Sequence, residues 1–405
     1  MYAWGKIGTK SLAAEFAANG RPDDFCVDGT APYAELWMGT HPNGPSVIKG
    51  QGSLADYIDK NPSLLGENSR KVFGDTLPFL FKVLSVNKAL SIQAHPDKKH
   101  AEELHRSRPD IYKDPNHKPE MAIALTDFEG LCGFRPLSQI QNHIKQVGQL
   151  REVIGQDLAA NLLKATKDDY QVPLKKAFAA LMNCPKDKLE QSLASLKKEI
   201  EQKSCVTSTE RLFKRLWHDF PGDVGCFVIY FLNILVLKPG EAMFLGPNLP
   251  HAYLSGDCIE CMACSDNVVR AGLTPKLIDV STLCDMLIYQ CPDNDKVDDT
   301  FKFKPIQENA NTLVYEAPVP DFSVAKLLAP KGKGPVSFPS RDSASIVIVT
   351  DCQSGTYGAF KKGSSTPYVD KGQVKKGLVL FLEATDVLEL TPDDKEDIIA
   401  YQAFC

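Results

Sequence analysis

Apolar residues fall into two different rhythms along the chain. From Trp4 to Arg135 they form short runs between turn residues, such as Phe79-Leu-Phe-Lys-Val-Leu-Ser-Val. In Ala89-Leu-Ser-Ile-Gln-Ala-His they alternate: Leu90, Ile92 and Ala94 take one side, Ser91, Gln93 and His95 the other. A period of two predicts a half-buried strand. From about Leu137 to Trp217 helix formers dominate, and Leu189, Leu193, Leu196 and Ile200 recur at spacings of 4, 3 and 4. That spacing paints one face of a helix, with Lys197, Lys198, Glu199 and Glu201 mostly off the stripe. Strand texture returns at Gly225, where Cys226-Phe-Val-Ile-Tyr-Phe-Leu-Asn-Ile-Leu-Val-Leu reads as a buried strand. It continues through Ser345-Ile-Val-Ile-Val-Thr, Gly377-Leu-Val-Leu-Phe-Leu and Asp386-Val-Leu-Glu-Leu.

The pattern predicts a mainly β protein with an α-helical insertion, its short strands and Gly/Pro turns arranged as sandwiches or jelly rolls. The expected units are a β domain in two pieces, 1–136 and 218–295, a helical domain over 137–217, and a second β domain over 296–405. A length of 405 residues accommodates that number of cores. The Pro/Asp-rich stretch Cys291-Pro-Asp-Asn-Asp-Lys-Val-Asp-Asp marks the last boundary.

Composition narrows the function classes. Apolar residues at 43% and charged residues at 24% are ordinary for a globular protein. A net charge of -5 without long like-charged blocks argues against nucleic-acid and membrane-surface partners. The longest apolar run, at Cys226, is too short for the roughly 18 residues of a membrane span and is broken by Asn233. The opening residues have no secretory pattern. Twelve cysteines without a framework suit reduced thiols, so a cytoplasmic location is expected.

Candidate chemistry starts at Gln93 and His95, which share one side of a strand and can approach one point. Glu120 and His251 follow later in the chain. Two imidazoles, one carboxylate and one amide oxygen suit Zn²⁺ or a similar divalent ion, with a site charge of +1 and positions left for water or substrate. His251 closes a strand, Pro-Gly turn, short strand and second Pro turn, the layout of a metal-binding motif in cupin jelly rolls. No histidine follows it, so the C-terminal β domain offers no such site. His100 and His105 lie among Lys98, Lys99, Glu102 and Glu103 and fit a helix surface. Cys258, Cys261 and Cys264 do not converge on a strand and read as buried thiols. Gly5-Lys-Ile-Gly-Thr-Lys-Ser lacks P-loop spacing.

Five segments taken in order closely resemble eukaryotic type I phosphomannose isomerases of the cupin superfamily: Leu90-Ser-Ile-Gln-Ala-His-Pro-Asp-Lys, His117-Lys-Pro-Glu-Met-Ala, Gly130-Leu-Cys-Gly-Phe-Arg-Pro, Gly246-Pro-Asn-Leu-Pro-His-Ala-Tyr-Leu-Ser-Gly-Asp and Ser265-Asp-Asn-Val-Val-Arg-Ala-Gly-Leu-Thr-Pro-Lys. The resemblance spans nearly the whole chain, including Glu35-Leu-Trp-Met-Gly-Thr and the helical insertion. It implies cupin-type barrels and a metal site of Gln93, His95, Glu120 and His251 holding one Zn²⁺ per chain. It implies an active site containing Arg270, with Lys118, Tyr253, Asp266 and Lys276 on pocket positions.

The implied reaction interconverts mannose 6-phosphate and fructose 6-phosphate through a cis-enediol, supplying mannose for GDP-mannose synthesis and glycosylation. Arg270 suits oxyanion stabilisation. Lys118 is a candidate base, or else a phosphate contact. Tyr253, Asp266 and Glu260 are rival proton carriers; Lys276 and Ser91 are candidate phosphate contacts. The expected partner is a small sugar phosphate, with no nucleic acid and no membrane, bound by a monomer. Two other functions compete. A cupin dioxygenase favours iron held by three histidines and a carboxylate, whereas here Gln93 replaces one imidazole. A sugar-binding cupin needs no positioned Arg270 or Lys118.

Overall fold

The computed structural model describes residues 2–364, 369–393 and 395–405. In the N-terminal β region two antiparallel sheets share one long strand, His251–Ala263. Its C-terminal half pairs with Phe79–Val86 on one side and Glu120–Ala124 on the other; Glu35–Met38, Ala242–Leu245 and Lys302–Phe303 extend that sheet. Its N-terminal half pairs with Phe128–Phe134 and with Ile92–Ala94; Leu232–Leu237 and Val269–Gly272 complete the second sheet.

The strand changes sheets at Gly256. Its φ of 111° favours glycine, and an added Cβ would sit 2.5 Å from the Asp127 carbonyl oxygen. A register shift between Tyr253 and Ser255 accompanies the bend. One strand therefore carries His251 on one sheet and Glu260 on the other, both toward a common interior.

Phe79–Val86 is buried along its whole length. Its alternation separates two interiors. Leu84 and Val86 face the barrel with Ala122, Met243 and Tyr253. Phe79, Phe81 and Val83 face outward, against Tyr315, Phe322, Ile346, Ile348 and Tyr401 of the C-terminal region. The sheet bearing the site is thus backed by the C-terminal strands.

Those strands form a sandwich. A six-stranded sheet contains Ser323–Ala329, Ser345–Asp351 and Ile398–Phe404, and a four-stranded sheet contains Gly355–Lys361 and Asp386–Pro392. Leu327, Val347, Val349, Leu388, Leu390 and Ile398 fill the space between them.

Helices occupy the chain from Leu137–Gln146 to Ser208–Asp219, the latter begun by a Thr207/Glu210 capping box. Leu189, Leu193, Leu196 and Ile200 are buried along one helix face, as their spacing predicts. The apolar run at Cys226 departs from the expected single strand. Gly225–Val228 is a short helix, and the strand begins at Leu232. A run that is apolar on every side satisfies either form of burial, and packing decides between them. No helix among the described residues is long and apolar enough to cross a membrane.

Candidate metal centre and active site

The second sheet places a row of side chains across the barrel interior. Cys132 and Gln93 lie opposite His251 on its two sides, and Arg270 lies opposite Gln93. Ile92 and Ala94, the alternate residues, pack outward into the core that includes the helices. The alternation read from sequence therefore sends Gln93 inward. His95 follows one pleat later and is 1% exposed.

Glu120 opens its strand on the facing sheet and is buried. Its Oε1 lies 3.5 Å from His95 Nε2, and its Oε2 lies 3.4 Å from His251 Nε2. Ligand atoms of the three residues fall within 4.8 Å of one another.

The other ring nitrogens fix this arrangement. His95 Nδ1 donates to the Asn267 carbonyl at 2.6 Å, and His251 Nδ1 donates to the Leu249 carbonyl at 2.8 Å. Each Nε2 is left as a lone-pair donor aimed at Glu120, the tautomer a metal requires. His95 Nε2, His251 Nε2 and Glu120 Oε2 are buried without a hydrogen-bond partner. Three unpartnered buried polar atoms that converge are costly unless a cation joins them, so the donor set fits a metal ion. Burial pushes the His95 imidazole down to about 4, against the pull of Glu120, and so keeps it neutral. Burial would raise the Glu120 carboxyl, but the Lys118 ammonium leads the opposing influences, and the group is held well below its ordinary value.

Lys118 Nζ lies 2.9 Å from Glu120 Oε1. Its neighbour His117 contacts the buried Asp321 of the C-terminal domain at 3.1 Å, which ties this loop to the second sandwich. Glu260 is buried and paired with Lys82 at 3.1 Å. Burial lowers the Lys82 ammonium, but Glu260, Glu35 and Glu120 prevail and raise it above its usual value. Lys82 also sits 4.9 Å from the centre of the Trp37 ring, and the Trp37 indole N–H donates to Glu35. Tyr253 is buried against Phe128, its hydroxyl unpartnered. Burial, with Glu260 and Glu120 nearby, holds that phenol well above its ordinary value.

Arg270 is half-buried and opens onto a cleft of about 280 Å³, shared with Lys276, Tyr112 and Asp279. No carboxylate among the described residues is ion-paired with Arg270, and burial lowers its guanidinium from the ordinary value. The loop after it is clamped by Asp223, which accepts from Leu273 N at 2.7 Å and Thr274 N at 3.1 Å.

Two sequence-predicted residues lie apart from the buried cluster. Asp266 is exposed, with its carboxylate 3.5 Å from His41 Nε2. Lys276 is exposed at the cleft. Ser91 is partly buried just before the Gln93 strand. Cys258 and Cys261 are buried free thiols whose burial raises them well above the usual range.

Sequence reasoning passed over Lys82. The available signal was a lysine in the middle of the otherwise apolar run Phe79-Leu-Phe-Lys-Val-Leu, which folding must either pair or expose.

Known proteins share this architecture. The family model for the catalytic domain of type I phosphomannose isomerase matches residues 1–137, and that for its helical insertion domain matches residues 141–232. Mannose-6-phosphate isomerase of Homo sapiens is 44% identical over 416 residues, spanning 100% of this chain and 96% of its own length. That of Schizosaccharomyces pombe is 40% identical, spanning 100% and 97%. A lysine-to-alanine variant of phosphomannose isomerase from Salmonella typhimurium superposes with a TM-score of 0.82 at 31% identity, covering 100% of this chain and 96% of its own. A mannose 6-phosphate isomerase bound with zinc and yttrium superposes at 0.75, with 31% identity and the same coverage.

Proposed function

The chain belongs to the type I phosphomannose isomerase family, and from that premise we propose that it interconverts mannose 6-phosphate and fructose 6-phosphate with one zinc ion held by Gln93, His95, Glu120 and His251. The observation that carries the metal assignment is the convergence of the unpartnered His95 Nε2, Glu120 Oε2 and His251 Nε2 inside the barrel. Gln93 joins them through its place opposite His251. The enzyme acts as a monomer in the cytoplasm.

Isomerisation moves a proton between C1 and C2 of the open-chain sugar through a cis-enediol. It needs a proton carrier, a cation for the developing oxyanion and an anchor for the phosphate. When bound, the zinc ion supplies a Lewis acid for the sugar oxygens. Arg270 lies in the same cross-strand row as Gln93 and His251 and presents its charge to the enediolate oxygens. Lys276 lines the cleft onto which Arg270 opens and receives the phosphate, with Ser91, two residues before Gln93, as a second contact. Lys118 carries the proton: its side-chain nitrogen reaches the ligand carboxylate Glu120 and borders the metal site. Tyr253, kept protonated by its burial, serves as a hydrogen-bond donor in the barrel and not as a base. Glu260 is held by Lys82 and shapes the charge of the interior.

A coupled assay that follows mannose 6-phosphate to fructose 6-phosphate tests the reaction directly, and metal analysis of the active protein should return one zinc per chain. Arg270→Ala should lower kcat strongly with zinc retained; an unchanged kcat removes Arg270 from catalysis. Lys118→Met should stop exchange of the C2 proton with solvent, and continued exchange rejects the proton-carrier role.

A further inference from the structure

We propose that Asn267 is a positioning residue that holds both sides of the metal centre in register. Its backbone carbonyl accepts from His95 Nδ1 at 2.6 Å. Its side chain, in a residue only 4% exposed, points its amide N–H groups at the facing loop. Nδ2 lies 3.1 Å from the Asp114 carbonyl oxygen and 3.5 Å from that of Asn116. That loop leads directly into Lys118 and Glu120.

The two segments are stitched together around this residue. Asn267 N–H donates to Ser265 Oγ at 3.1 Å, and Ser265 Oγ donates to the Asn116 carbonyl at 3.1 Å. Asn116 Nδ2 donates to the Cys264 carbonyl at 3.1 Å, and Asp266 N–H to Asp114 Oδ2 at 2.7 Å.

One residue therefore does two things. Its main chain sets the His95 tautomer and ring plane, so that Nε2 carries the lone pair. Its side chain fixes the approach of the segment that delivers Glu120. Loss of the side chain unties the two segments directly, and it loosens the His95 contact indirectly by letting the segment that bears the Asn267 carbonyl shift. A ligand that must be reoriented on metal binding gives weaker binding, because the ordering cost moves from folding to association.

This inference rests on the metal-centre reading above, and zinc affinity tests the two separately. The probe is zinc alone, added to the metal-free protein in competition with a chromogenic chelator. Asn267→Ala and Asn267→Leu should raise the zinc Kd by about 10- to 100-fold, the range for outer partners of a ligating histidine. Asn267→Ser keeps a short donor and should fall between these variants and wild type. It also supplies a readable case if the larger changes fail to fold. Leu390→Ala, in the remote sandwich, controls for general destabilisation and should leave the Kd unchanged. A purely structural role predicts lower melting temperatures for the Asn267 variants with the zinc Kd within threefold of wild type, and that result overturns the proposal. If instead His251→Ala binds zinc as tightly as wild type, the metal centre itself has been misassigned.

Discussion

The interior of the N-terminal barrel holds Lys82, His95, Glu120, His251 and Glu260, all buried. The interior of the C-terminal sandwich holds Leu327, Val347, Val349, Leu388, Leu390 and Ile398. Both are spaces between antiparallel sheets, yet one gathers buried ionisable groups beside its apolar residues and the other is filled with apolar side chains. The aliphatic interior is stabilised by transfer and packing alone, and nothing in it has to be compensated. In the polar interior every charge must be answered: Lys82 by Glu260, Lys118 by Glu120, and the three unpartnered atoms by a cation. The polar barrel is also enclosed. Helices cover one sheet from outside, and the aliphatic sandwich presses its Tyr315, Phe322 and Ile348 on the other. The second sandwich backs the sheet that bears the site, and the first barrel holds the ionisable groups. A site with costly internal charges needs walls that do not yield.

The largest expected effect comes from breaking the polar interior at its metal. Zinc content and turnover should disappear together in His251→Ala, with kcat/KM down by at least about 1,000-fold, or about 4 kcal/mol of barrier. A zinc-replete, active variant would end the contrast between the two interiors. Removing zinc with a chelator should give the same loss of turnover, reversed by adding zinc back.

Next comes the internal ion pair. Lys82→Met strands Glu260 and Glu35 in the barrel and should cost about 3–5 kcal/mol in a denaturant melt. Adding Glu260→Gln to it should recover part of that loss. If the single variant is as stable as wild type, water reaches this interior and the enclosure described above is wrong.

In the aliphatic interior, Leu390→Ala should cost about 3 kcal/mol in stability through the cavity it leaves. Zinc affinity and kcat at permissive temperature should not move. A change in either would mean that the sandwich tunes the chemistry and does not merely support it.

The smallest effect is at the sandwich surface, where Arg341 makes a two-pronged contact with Glu308 at 2.8 and 2.9 Å. Glu308→Ala should cost about 1 kcal/mol at most. The cost should shrink in high salt, with activity untouched.

Much of the catalytic barrel was legible along the chain because its signals are local. The alternation Ile92-Gln93-Ala94-His95 fixes which side chains share a face, and the Pro-Gly and Pro turns before His251 set its strand. The leucines at 189, 193 and 196 fix a helix face by the same kind of short-range rule. Lys82 was not legible as a buried charge, because its burial depends on Glu260 arriving opposite it from far along the chain. Asn267 was hidden for the same reason: its bond to His95 is made by a backbone carbonyl, which no residue type announces. Cys226-Phe-Val has the pattern of a strand and folds as helix, since an apolar run without period carries no geometry of its own.

The sequence by itself determined the periodicities, the order of elements, the residue types able to bind a divalent ion, and through its motifs the family. Only the tertiary structure decided which of those residues meet and which carbonyls orient the imidazoles. It also decided which face of Phe79–Val86 looks into the barrel and which into the second sandwich. The physical reason is range. Propensity and periodicity act over a few residues, whereas a buried charge or a ligand set is stabilised by partners that only the packed chain brings within hydrogen-bond distance.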